Sequence, residues 1–251
     1  MKLIFKNPGY DYMLESILDF QCEEQGDFFR ESLCRFYPTF DKEKMNSLDT
    51  KGKKQYIDSE LKQIYKDNES LLEDKIKAYQ KHWDNNQEVI QQAFEEIFHM
   101  KLETKFNSME GKISLNPVSP RYLETSTFDV FYLNSERGAL GLSLHEITHF
   151  LWFKKWQQLF KDNPEEYEAP HLKWVFSEMV VESILSDERL KVLNPYTGHN
   201  VYEYFYKLEF EGHSVLDILD KLYRENSIEE FMKKGFEFCK EHEELIRSVM
   251  Y

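Results

Sequence analysis

Hydrophobic positions along the chain recur mostly at helical spacing. Residues 2–6 read as a short strand that Asn7-Pro8-Gly9 ends. From Tyr10 to Phe36 the apolar positions are Met13, Ile17 and Phe20, then Phe28, Phe29 and Leu33. That spacing predicts two helices, broken near Gly26 and closed by Pro38. Residues 48–106 read as helical throughout, in three stripes. The first is Tyr56, Ile57, Leu61, Ile64 and Tyr65. The second is Leu71, Leu72, Ile76, Tyr79 and Trp83, and the third is Ile90, Phe94, Ile97 and Phe98. Heptads are not sustained, so packed helices are expected rather than one coiled coil.

The pattern changes after Gly111. Residues 112–118 and 127–133 are rich in β-branched and aromatic side chains, with Pro117, Ser119 and Pro120 marking a turn between them. In 128–133 the apolar residues occupy both faces, as in a strand covered on both sides. Helical periodicity returns over about 138–158. A second long helix is expected from just after Pro170 to about 190. Asn194-Pro195-Tyr196-Thr197-Gly198 reads as a turn, and the rest of the chain as amphipathic helix. The fold class expected is α+β, predominantly helical.

Composition narrows the function classes. The chain of 251 residues has 20 Phe, 15 Tyr and 4 Trp, which need a folded interior. Lys plus Arg is 32 against 46 Asp plus Glu, a formal charge of −14. That field repels phosphate backbones and anionic lipid, so neither nucleic acid nor a membrane is expected as a partner. Cys22, Cys34 and Cys239 are too scattered for a disulfide framework and read as free thiols. The first residues lack the apolar stretch of a signal peptide, so a soluble cytoplasmic protein is expected.

One segment carries chemistry: Leu144-His145-Glu146-Ile147-Thr148-His149-Phe150. On a helix, His145 and His149 lie one turn apart on one face, where both imidazoles can reach a single Zn²⁺. Glu146 then stands beside the first of them, placed to take a proton from water and pass it on. A catalytic zinc needs a third protein ligand. The next helix offers Glu178 and Glu182, again at i and i+4, amid Trp174, Val175, Phe176, Met179, Val180 and Val181. A carboxylate in such surroundings is costly unless paired or metal-bound. Glu178 is assigned as third ligand. Glu182 is assigned to a hydrogen bond from the Nδ1–H of a ligand histidine, first of all His145. The reverse assignment of the two glutamates stays open.

This combination resembles the gluzincin clan of zinc metallopeptidases, over about residues 112–190. Members carry His-Glu-x-x-His on an active-site helix and a glutamate ligand downstream; an acidic residue often follows four positions later. Here that residue is Glu182, where the best-known members have Asp. The resemblance implies a zincin-like bilobal fold. Residues 1–155 would form an upper lobe with a small twisted sheet and the active-site helix, and 156–251 a lower helical lobe. It implies hydrolysis of a peptide or protein substrate with Glu146 as general base. An edge strand, 112–118 or 127–133, would pair with the substrate backbone. It also implies a Tyr or His that stabilises the oxyanion. His199 is the first choice, ahead of Tyr196, Tyr167, His171 and His213. No Gly-x-Met-Glu-Asn type signature precedes His145, which argues against a large aminopeptidase. Two other classes remain open: a regulatory protein acting on one dedicated partner, and a non-catalytic helical interaction protein.

Overall fold

The computed structural model describes residues 1–22, 26–102 and 108–250. In order, the elements are β1 (Leu3–Lys6), α1 (Tyr10–Cys22), α2 (Gly26–Phe36), α3 (Lys42–Ser47), α4 (Thr50–Asp84), α5 (Gln87–Phe98), β2 (Met109–Ser114), β3 (Arg121–Tyr122) and β4 (Thr127–Phe131). Then come α6 (Glu136–Phe160), α7 (Leu172–Leu185), α8 (Glu188–Lys191), β5 (Glu209–Phe210), β6 (His213–Ser214), α9 (Val215–Glu225), α10 (Ile228–Glu241) and α11 (Glu243–Arg247). The protein is therefore predominantly helical with a small sheet. No described helix is long and apolar enough to cross a membrane.

The first two stripes of the 48–106 region belong to one helix, α4, of 35 residues rather than to separate helices. No proline interrupts it, and its one glycine, Gly52, sits in the first turn, where Asp49 caps the amide at 2.7 Å. The third stripe is α5, which ends where His99 enters the left-handed region at φ 49°. Residues 103–106, the end of that predicted helical region, lie outside the described residues. The helix expected to run to about residue 190 stops at Leu185. Asp187 restarts the chain as α8 by accepting from the Arg189 amide. The hairpin β5–β6 has no alternating pattern to announce it; it turns through Glu211 and Gly212, both at positive φ.

The chain forms two compact units. One comprises Lys2–Asn85 and Asn107–Ala139. Its sheet has the order β1-β2-β4-β3, with β1, β2 and β4 parallel and β3 antiparallel. Gly111 pairs with Phe128, and Ile113 with Val130. All five residues of β4 are buried, as its two-faced apolar pattern requires. β2 lies between β1 and β4, so it is not an edge that a substrate strand can join. β4 is bordered by β3 at Thr127 and Phe128, and the Asp129 amide donates to the Pro120 carbonyl. The edge at β1 is closed by a side chain. Gln80 of α4 accepts from the Phe5 amide (2.9 Å) and donates to the Leu3 carbonyl (3.1 Å).

The other unit comprises Met1, Asn86–Phe106 and Leu140–Tyr251. Its core is aromatic. Trp152 and Trp156 of α6 meet Phe176 of α7, and Phe231 and Phe236 of α10 close the cluster. Helix α10 approaches so closely that a Cβ on Gly235 would fall 2.6 Å from the Phe176 ring. α7 is a buried helix: eleven of its fourteen residues, from Leu172 to Leu185, are buried. Lys155 is buried on α6 and pairs with Glu229 at the start of α10. Cys239 is buried and Cys34 partly so. Both are free, and burial pushes both thiols above their ordinary pKa. The Cys22 side chain lies outside the described residues.

Candidate metal centre

Two helices of this second unit build the site. α6 places His145 and His149 one turn apart, with ring centroids 4.8 Å from each other. Below them the column continues. The His149 ring stacks on Phe153 at 6.5 Å, and Phe153 stacks on Tyr167 at 4.5 Å. The backbone of this turn is reinforced by Thr148, whose hydroxyl donates to the Leu144 carbonyl at 2.7 Å. α7 brings Glu178 from the opposite side. Its carboxylate is 3% exposed, and both its oxygens face the histidines.

The distances test whether these residues fit a metal. His145 Nε2 lies 3.1 Å from His149 Nε2. Glu178 Oε2 is 3.6 Å from His145 Nε2, and Oε1 is 3.4 Å from His149 Nε2. Tetrahedral bonds of about 2.0–2.1 Å separate neighbouring ligand atoms by about 3.3–3.4 Å. The three separations bracket that value. Among the described residues, His145, His149 and Glu178 are the group able to hold a metal ion. Two neutral imidazoles and one carboxylate suit a borderline divalent cation such as zinc. The His149 side chain is fully buried, whereas His145 keeps 21% exposure, so the cluster is reachable from the His145 side.

Glu146 is buried in the same turn of α6 and stands outside the ligand group. Glu182 sits elsewhere than expected. Its carboxylate accepts from the Gly198 amide (2.8 Å), the Asn200 amide (3.1 Å), the Asn200 side chain (2.8 Å) and the Tyr206 hydroxyl (3.0 Å). The bond expected from His145 is not among them. The cause is reach and competition. The turn after Asn194 delivers three donors to the face of α7 that Glu182 occupies, Tyr206 adds a fourth, and four donors satisfy a carboxylate. His199 is exposed on that same turn, its amide donating to the Tyr196 carbonyl at 2.7 Å and its ring 6.4 Å from Tyr206.

Gly141 is the residue that sequence reasoning passed over. It lies one turn before His145, and a Cβ there would fall 2.7 Å from Pro195, 2.8 Å from the Tyr196 ring and 2.9 Å from the Asn194 side chain. A glycine inside a helix costs about 1 kcal/mol relative to alanine, and that cost is a signal of close approach. Tyr206 and Asn200 carry no comparable signal. Burial and the adjacent Glu182 carboxylate push the Tyr206 hydroxyl up to about 12. Tyr167, another oxyanion candidate, is buried beneath the histidine column and donates to Asp162 at 2.6 Å. Compared with known protein families, curated proteins and solved structures, the chain matches none.

Proposed function

We propose that the chain is a zinc-dependent peptidase, with His145, His149 and Glu178 as ligands and Glu146 as general base. The observation that carries this reading is the set of three ligand-atom separations, 3.1, 3.4 and 3.6 Å, in a largely buried cluster open on one side. Zinc, when bound, supplies a Lewis acid that eases ionisation of water and polarises a carbonyl. The chain supplies the rest. His145 and His149 offer neutral nitrogens from a helix braced by the Trp152–Phe176 packing. Glu178 offers the one anionic ligand. Glu146 takes the proton of the attacking water and returns it to the leaving amine. His199 is the proposed donor to the oxyanion of the substrate.

The zincin-like bilobal arrangement and a cytoplasmic setting for the thiols belong to this proposal. The test is the pair Glu146→Gln and His149→Ala. Glu146→Gln keeps the metal and loses hydrolysis of a peptide library by about 10²–10⁴-fold, the usual worth of a general base. His149→Ala loses both. Full hydrolysis by Glu146→Gln would overturn the mechanism.

A further inference from the structure

The segment from Asn194 to Tyr206 touches both ligand helices on the faces that carry ligands. On α6 it seats Pro195 and Tyr196 against Gly141, one turn before His145. On α7 it brackets Glu178. The Tyr202 ring lies 6.2 Å from Trp174, one turn before Glu178, and four bonds join the segment to Glu182, one turn after it. Positions four apart share a helix face, so the segment runs alongside the metal cluster. It is also where exposed apolar surface concentrates. Tyr196, Tyr202 and Tyr206 of this segment are all among the exposed large hydrophobic side chains, 36–48% accessible. Three exposed rings on one segment held to both ligand helices offer an apolar surface for a bound side chain.

We propose that Glu182 is a positioning residue that holds this segment as an aromatic wall of the metal site. An apolar or aromatic side chain of the substrate rests on that wall. This inference rests on the metallopeptidase reading. It departs from the role first assigned to Glu182, because the carboxylate acts on the wall and not on a ligand histidine. Glu182 touches neither substrate nor metal. Its removal frees the wall and leaves the ligands in place.

The test uses Glu182→Ala, with Glu182→Gln as the conservative variant should the first not fold. Three readings are taken: hydrogen exchange of the Gly198 and Asn200 amides in metal-free protein, the zinc dissociation constant, and the affinities of zinc-loaded protein for acetohydroxamate and phenylacetohydroxamate. Both hydroxamates chelate the metal, and only the second carries a ring. In the native protein the ring adds at least tenfold in affinity. In Glu182→Ala the two amides exchange at least tenfold faster and the advantage of the ring falls below threefold. Zinc binds within threefold of native. Zinc affinity weakened 10–100-fold with unchanged amide exchange would overturn the proposal in favour of a contact through a ligand histidine. An undiminished ring advantage with freed amides would show that the wall is not a substrate surface. If the native protein takes up no zinc, the metallopeptidase reading falls and takes the substrate role of the wall with it. The clamp is then still decided by amide exchange.

Discussion

Glu178 reaches His149 across two helices, Oε1 to Nε2 at 3.4 Å, with both side chains almost wholly buried. A buried carboxylate facing two imidazoles has two ways to be stable: share a proton with them, or share a cation. The second ties folding to metal. Anything that binds only the native state stabilises it by RT ln(1 + [L]/Kd), about 2.7 kcal/mol at a hundredfold excess over Kd. For a chain of this size that raises Tm by about 5–10 °C. Zinc should therefore lift the melting temperature of the native protein and not that of Glu178→Gln. Equal shifts in thermal melts of the two would remove Glu178 from the ligand set.

Gly141 predicts a steric consequence. A methyl group there meets side-chain atoms of Asn194, Pro195 and Tyr196 at under 3 Å. Overpacking of this kind costs about 1–3 kcal/mol. Gly141→Ala should lower the unfolding free energy by that amount, read as a lower urea midpoint, although alanine is the better helix former. A stabilised variant would mean that the turn is not seated against α6.

Asp129 predicts a pH dependence in the sheet unit. Burial in β4 raises its carboxyl to about 6, against the bonds it accepts from Tyr12 (2.7 Å) and Ser16 (3.1 Å) and the nearby Lys112 charge. The native state therefore keeps a proton between about pH 4 and 6 that the unfolded chain has lost. Stability falls as pH rises through that window, by up to about 3 kcal/mol, and is flat for this group above it. Asp129→Asn should flatten that slope and gain on the native protein as pH rises to 7. Urea unfolding at pH 4.5 and 7 measures it. An unchanged slope would show that Asp129 is not the group responsible.

Lys155 and Glu229 act in the opposite sense. Burial works against ionisation of Glu229, but the Lys155 ammonium overcomes it and the carboxyl is held down to about 2. Its stabilisation is present above the unfolded value near 4.3 and is lost as pH falls toward 2. Lys155→Ala should cost about 1–3 kcal/mol at pH 7 by leaving Glu229 without its ammonium, and about half as much at pH 3. The same cost at both pH values would assign the loss to packing of the lysine stem.

The sequence disclosed the parts of this molecule that periodicity and spacing control. β1, β4, α6 and α7 follow from apolar patterns that allow one solution each. His145 and His149 are paired by i and i+4 spacing, and an apolar helix makes the carboxylates of Glu178 and Glu182 conspicuous without deciding between them. Where a local pattern has several partners to choose from, sequence alone gave no decision. Nothing in residues 48–84 distinguishes one long helix from two. Glu182 had two candidate destinations, and the four donors that claim it come from a segment, Gly198 to Tyr206, whose path is set by tertiary contacts. Gly141 was legible in principle, as an unexplained glycine inside a helix.

The most direct measurement is the metal content of the chain, purified without an affinity metal and read by elemental analysis beside His149→Ala. The expected result is about one zinc per native chain and none in the variant. A native protein without zinc, and taking up none from a slight excess, would contradict the metal centre and the peptidase reading built on it.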